Sequence, residues 1–328
     1  MTDPLVQTTP DDRDEVLRVT DLCVHFPVRQ GMQNRLLKAV DGISLQLRAG
    51  ECLGLVGESG CGKSTLAQAI MGILPPTSGQ VSLPGIGSGQ TKLARARAIQ
   101  MVFQDPFSSL NPRMTIRQIL GQPLRLHGIC PPSEDEARIA ALLKRVGIDP
   151  AAMDRYPHAF SGGQRQRLCI ARALVVEPRI LVCDEPVSAL DVSIRAQIIN
   201  LLLDLKNDLG VALLMISHDL GVVEHMSDRI AVMYLGRFVE TGTWKDVLSH
   251  PAHPYTRALL ASIPGAAGAS RLRLSGEAPS ALNPPDGCAF HPRCPRAADQ
   301  CLVGAGPVFT DLGGSHAARC HFAGTENE

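Results

Sequence analysis

The sequence has no excess of either charge: 32 Lys and Arg face 32 Asp and Glu. It therefore lacks the basic surplus on which non-specific nucleic-acid binding rests. It also lacks any run near the roughly 18 continuous apolar residues of a membrane span; VALLMIS (211–217) is typical of its longest. The opening stretch MTDPLVQTTPDDRDE has no basic region followed by an apolar one, so it is not expected to be a signal peptide. No internal repeat is visible. These absences favour a cytosolic chain, or one held at a membrane by partners. In such a compartment the ten cysteines are not read as disulfides.

What is present is an α/β pattern. At 328 residues the chain can build one large or two moderate domains. Residues 1–15 read as a disordered lead. Residues 16–26 and 41–50 alternate apolar and polar side chains and predict antiparallel strands, with 27–38 as a polar loop between them. ECLGLVG (51–57), ILVCDEP (180–186) and VALLMISHD (211–219) are nearly unbroken apolar runs, as expected for strands buried on both faces. A helix is expected from Ser64 to about Leu74, stopped by Pro75 and Pro76. Residues 105–178 turn mainly helical and suggest an inserted subdomain. Ile194, Ile198, Leu201, Leu202 and Leu205 share one helix face that ends at Gly210. Strand and helix in alternation imply a parallel sheet. Beyond Ser249, Pro and Gly become frequent and periodicity fades, so a separate tail unit is expected.

GESGCGKST (57–65) fits G-x-x-x-x-G-K-[ST] between a buried strand and a helix, the context that motif requires. Its glycines let backbone N–H groups wrap phosphates at a helix N-terminus. Lys63 would reach the β- and γ-phosphates and Ser64 would hold Mg²⁺. Asp184 ends a buried strand, where it can hold Mg²⁺ through water, and Glu185 is placed as general base. His218 ends the next apolar strand and is suited to sensing the γ-phosphate. In FSGGQRQR (160–167), Ser161 is a good N-cap and the following amides could hold an anion.

SGGQ downstream of a phosphate loop and before an acidic strand end resembles the signature motif of ATP-binding cassette (ABC) ATPases. Gln104 in VFQDP resembles the Q-loop glutamine, SALD (188–191) the D-loop, and His218 the switch histidine. Phe26 sits where the family stacks an aromatic on adenine, and Phe160 replaces the more usual leucine. The resemblance covers about residues 16–250. It implies an α/β cassette with a P-loop parallel-sheet core, an antiparallel β subdomain and an inserted helical subdomain. It implies ATP held by Phe26, Gly57, Glu58, Ser59, Gly60, Cys61, Gly62, Lys63, Ser64 and Thr65, and Mg²⁺ by Ser64, Gln104 and Asp184. Glu185, His218 and Gln104 would be catalytic. Ser161, Gly162, Gly163, Gln164 and Asp191 would contact the ATP of a partner cassette in trans.

PFSSLNPRMTI (106–116), RYPHAFSGGQRQR (155–167), HPYTRALL (253–260) and GEAPSALNPPDGCAFHPRCP (276–295) resemble the ATPase subunits of oligopeptide and dipeptide importers, more closely the second of the two. This implies an ATPase domain over 16–248 and an importer-type C-terminal domain over 249–328. It also implies a second ATPase subunit, two membrane permeases and an external binding protein as partners, at the cytoplasmic face of the membrane. The alternatives are a soluble ABC-type ATPase, or an importer of another cargo such as nickel.

Cys288, Cys294, Cys301 and Cys320 crowd into this tail with five, six and eighteen residues between them. The other six are scattered, and Cys52 and Cys183 read as core residues. A proline-rich segment with little apolar periodicity needs a staple. No C-x₂₋₄-C pair of the usual zinc type occurs there, so a [4Fe–4S] cluster on four thiolates is favoured. Zinc, with His291, His316 or His321 as substitute ligands, and unligated thiols remain alternatives. Some importer ATPases with this tail carry such a cluster.

Overall fold

A computed structural model describes residues 14–30, 33–86, 91–188, 190–262 and 276–324. The expected lead falls almost wholly outside them, as does Ala189 of the SALD stretch. In chain order the elements are β1 Glu15–Gln30, β2 Gln33–Arg48, β3 Cys52–Val56, α1 Lys63–Met71, β4 Ser78–Ser82, α2 Lys92–Ala98 and β5 Ile99–Val102. Then come α3 Pro106–Ser109, α4 Ile116–His127, α5 Asp135–Arg145, α6 Gly162–Leu174, β6 Ile180–Asp184, α7 Val192–Leu209 and β7 Ala212–Ile216. The last are α8 Leu220–Met226, β8 Arg229–Tyr234, β9 Arg237–Thr243, α9 Trp244–Ser249, α10 Pro254–Ala261, α11 Asp299–Leu302, β10 Thr310–Gly313 and β11 His316–Ala318. The chain divides into two compact units: residues up to 48, 52–84 and from 216 onward, and residues 49–51 with 85–215.

In the first unit β1 pairs antiparallel with β2, matching Val19 to Leu45, Val24 to Val40 and Phe26 to Leu37. Leu17, Val19, Leu22 and Val24 are buried opposite Val40, Ile43, Leu45 and Leu47. The polar loop expected over 27–38 is instead mostly strand, because Pro27 and Val28 keep pairing with Leu36 and Arg35. A two-stranded ribbon needs no buried face at its outer end, so its sequence looks like loop there. β4, missed in the sequence, completes this sheet on the far side of β1. β3 is buried throughout and runs parallel to β8, which pairs antiparallel with β9. α1 ends three residues short of the expected Leu74, because Gly72 takes a left-handed φ of 77° and its N–H turns back to Ala69 and Gln68, a glycine C-cap.

The C-terminal residues do not make the separate unit expected of them. β11 joins β9, pairing Ala317 with Thr241 and Ala318 with Glu240. Tyr255 and Phe290 are buried in one cluster with Val56, Val232, Tyr234 and Val247. The Tyr234 and Tyr255 ring centroids lie 4.7 Å apart, and Phe290 meets Tyr234 edge-on at 5.3 Å, a favoured aromatic geometry. The Glu240 carboxylate, fully buried, accepts from Ala252 N at 2.8 Å, His253 N at 2.9 Å and His316 Nε2 at 2.8 Å. Burial pushes the His253 imidazole down to about 4 against the pull of Glu240. The ring is therefore neutral, and its Nδ1 accepts the Tyr255 N–H at 3.0 Å. Aromatic anchors and one buried carboxylate replace the apolar periodicity whose lack suggested independence.

In the second unit β5 runs parallel to β6, with β7 on the other side of β6. Helices α3 to α6 run through most of residues 105–178, the stretch expected to be helical. Thr115 and Gln118 close a capping box on α4, as Ser161 and Gln164 do on α6, each satisfying two otherwise orphaned donors. Gly163 lets α6 approach α7 closely: a Cβ there would meet Ile194 at 2.6 Å.

Replacing Glu240 with Ala strands two backbone N–H groups and an imidazole in a dry core. The expected loss is about 3 kcal/mol or more, read as a lowered denaturant midpoint, with earlier proteolysis after Ser249. An unchanged midpoint would show that the carboxylate does not organise the tail.

Candidate functional site

The predicted site residues divide between the two units. In the first, β3 runs into residues 57–65 and then α1. Gly57, Gly60 and Gly62 have φ of 155°, 79° and 112°, values that side chains disfavour. A Cβ at Gly57 would lie 2.2 Å from Met233 O, and one at Gly62 2.1 Å from Ala39 O. Gly236 N donates to Cys61 O at 2.9 Å, so the β8–β9 turn also fastens the loop. Lys63 is buried, and its Nζ donates to Gly57 O at 2.7 Å and Glu58 O at 2.9 Å. Ser64 is exposed at the first turn of α1. The loop thus has the glycine-only curvature and the inward lysine that a triphosphate cradle requires. Phe26 is half-buried on β1, and His218 is exposed just after β7. Asp219 caps α8, accepting from Gly221 N at 3.0 Å.

Two partners of the loop escaped the sequence reading. Tyr255 Oη accepts the Glu58 N–H at 2.8 Å. Arg293 donates from both terminal nitrogens to the Glu58 carboxylate, at 2.7 and 2.9 Å. They stand 197 and 235 residues from Glu58, and no local spacing signals such pairs.

In the second unit Asp184 ends β6, and Glu185 follows with a left-handed φ of 48°. Such strain in a non-glycine residue is retained where the side chain must be aimed. Ser188 N and Oγ both donate to Glu185 O, at 3.3 and 3.1 Å, closing the turn. Gln104 Nε2 donates to Glu185 Oε2 at 3.1 Å, so these two predicted residues do meet. Ser161 is exposed, and its hydroxyl accepts the Gln164 N–H while the Gln164 side chain accepts the Ser161 N–H at 3.0 Å. A Cβ on Gly162 would meet nothing within 4 Å, so the start of α6 is open. Asp191 is an exposed N-cap of α7.

The four tail cysteines are all free. Burial pushes the Cys288, Cys294 and Cys320 thiols up, while the N–H of Phe290, Arg296 and Phe322, each two residues on, pulls them back down. Neighbouring tail cysteines raise each of the three further. A zinc ion at about 2.3 Å from each sulfur would bring the sulfurs to within about 4 Å of one another. Among the described residues the one group of potential ligands gathered within 4.8 Å is instead Cys23, His25 and Asp41. No three tail thiols are that close. His316, a suggested substitute ligand, is committed to Glu240. At the Cys23 group, burial raises the Asp41 carboxyl, but Arg237, Lys38 and His25 outweigh it and hold the pKa low. The Arg237 and Lys38 cations oppose a divalent ion there.

Comparison with known proteins agrees with this geometry. Residues 40–188 match the family "ABC transporter", and residues 239–301 match "Oligopeptide/dipeptide transporter, C-terminal region". The chain is 49% identical to the oligopeptide transport ATP-binding protein OppF of Escherichia coli, over 89% of this chain and 92% of the relative. It is 46% identical to AppF of Bacillus subtilis, an oligopeptide transport ATP-binding protein, over 95% and 99%. Among solved structures, cbiO1 of Clostridium perfringens, part of an ABC transporter complex, is 32% identical with a TM-score of 0.62, over 72% of this chain and 92% of that one. The ATP-binding cassette MJ0796, solved as a dimer bound to ADP and phosphate, is 26% identical with a TM-score of 0.60, over 70% and 98%. The chain belongs to the ATP-hydrolysing subunits of ABC transporters, in the branch that carries the oligopeptide/dipeptide transporter C-terminal region.

Proposed function

We propose that this chain energises a membrane importer for peptides by ATP-driven pairing of two cassettes. The observation that carries the reading is a glycine-shaped phosphate loop in a chain that also bears the importer-type C-terminal region. The relatives named for oligopeptide and dipeptide transport favour a peptide cargo over nickel, and a transport role over a soluble ATPase. Partners follow from the same likeness: a second ATPase subunit, two permeases and an external binding protein. The same likeness implies that the permeases hold the chain at the cytoplasmic face of the membrane; among the described residues no helix is long and apolar enough to cross it.

The loop amides and Lys63 hold the phosphates, and Phe26 stacks on adenine. Ser64, Gln104 and Asp184 hold Mg²⁺, which screens phosphate charge when bound. Glu185 takes the proton of the attacking water, and Gln104, donating to the other carboxylate face, orients it. His218 senses the γ-phosphate. Ser161, Gly162, Gly163, Gln164 and Asp191 serve the ATP of the partner cassette, and the dimeric state of MJ0796 supports such pairing. The tail thiols hold a [4Fe–4S] cluster. No three of the four tail thiols lie close enough for one zinc ion, which favours a larger cage held by four thiolates. The cluster's role is structural.

Glu185→Gln should lower hydrolysis in the assembled transporter by about 10²-fold or more, the usual worth of a general base, with ATP still bound. Near-normal turnover would remove Glu185 from that role. Ser161→Arg should leave ATP binding to the isolated chain unchanged and abolish ATP-dependent pairing in sizing experiments; lost binding in the isolated chain would mean the signature acts in cis. Anaerobically purified protein should be brown, with about four irons and four sulfides per chain. One zinc per chain, or an ordered tail without metal, would dismiss the cluster.

A further inference from the structure

Glu58 is the one residue of the phosphate loop, besides Lys63, with a long side chain, and it is tied at three points. Its N–H goes to Tyr255 Oη, its C=O receives Lys63 Nζ, and its carboxylate takes both prongs of Arg293. Two of these three ties come from beyond residue 250. Ser59 and Gly60, next along the loop, are exposed. Arg293 belongs to a one-turn 3₁₀ segment, His291–Arg293, between Cys288 and Cys294. Its N–H bonds to Phe290 O at 3.0 Å, and Phe290 is anchored against Tyr234 and Tyr255. The guanidinium carbon lies 6.0 Å from the centroid of the Tyr234 ring. The Arg293 side chain is 5% exposed and that of Glu58 28%. A charge-assisted bidentate pair of this kind fixes geometry as well as adding attraction.

The pair also solves an electrostatic problem. A carboxylate on a loop that binds a triphosphate repels the ligand unless a cation neutralises it. Lys63 Nζ touches loop carbonyl oxygens and is the group assigned to the phosphates, whereas Arg293 is the cation paired with the Glu58 carboxylate.

We propose that Arg293 is a positioning residue for ATP: by clamping and neutralising Glu58, the C-terminal segment sets both the shape and the charge of the phosphate loop. The inference rests on reading residues 57–65 as the nucleotide cradle, and it adds a requirement that the tail be docked for tight binding.

The test is Mg-ATP affinity of the full chain, measured by titration beside a thermal melt. Arg293→Ala should weaken ATP about tenfold, because it exposes the phosphates to an unpaired carboxylate as well as freeing the loop. Adding Glu58→Gln to that variant should restore most of the loss, since the repulsion disappears with the charge. A purely structural arginine predicts the opposite, a double variant at least as weak as the single one. That result, or parental affinity in Arg293→Ala, would overturn the proposal. Should Arg293→Ala not fold, Arg293→Lys keeps the charge but loses the second prong; an intermediate affinity supports the clamp and parental affinity overturns it. Lys63→Ala separates the two readings: if it binds ATP normally, the cradle assignment itself fails, whatever Arg293 does.

Discussion

The close approach of two glycines to two carbonyl oxygens governs the nucleotide loop. Gly57 sits against Met233 O and Gly62 against Ala39 O, each with space for a hydrogen and none for a methyl group. Met233 O lies near the end of β8 and Ala39 O midway along β2, so the loop is moulded by strands outside its own sequence. The turn after β8 completes the mould: Gly236 N reaches Cys61 O, while Gly236 O receives Asp41 N. Asp41 in turn accepts both Arg237 donors, at 2.6 and 3.0 Å. Backbone shape, more than side-chain chemistry, prepares this loop for phosphate.

The C-terminal segment owes its order to the same part of the fold. β9 supplies Glu240, and its buried carboxylate gathers Ala252, His253 and His316. Tyr234, from the strand that presses on Gly57, packs with Tyr255 and Phe290. A carboxylate with no exposure survives only when donors surround it, and here the donors are the tail itself. Metal ligation by the four cysteines would then stiffen a segment already docked, rather than create its fold.

The strands and helices that carry the cradle were legible because burial on two faces leaves unbroken apolar runs, as in CLGLV of β3 and ALLMI of β7. The phosphate loop was legible because its chemistry is local: glycines, lysine and serine act within nine residues. Gln104 and Glu185 were each visible, but their hydrogen bond crosses 81 residues and left no local trace. The outer halves of β1 and β2 were hidden by polar sequence, since a solvated ribbon imposes no alternation. The docked tail was hidden for the reverse reason. Its core contacts are a few aromatic residues at irregular spacing, which carry no period to detect.

Exposure separates the residues that shape the loop from several of those assigned to passing partners, although Gly163 is buried and Asp184 half-buried. Lys63, Gly57, Tyr255 and Arg293, which shape the loop, are buried. Ser64, Gln104, Ser161, Asp191 and His218, which are assigned to metal, water or a partner's nucleotide, are exposed. A buried group keeps one geometry because moving it would strand a polar atom or open a void. An exposed group can change partners at small cost, since water replaces what it leaves. Ser161 shows how the two demands combine. Its side chain is spent on the α6 cap, which fixes the helix start, while the open face of Gly162 leaves room for an incoming phosphate. The proposed cycle of cassette opening and closing would use this division, with a cradle that stays fixed and contacts that can be remade at each turnover.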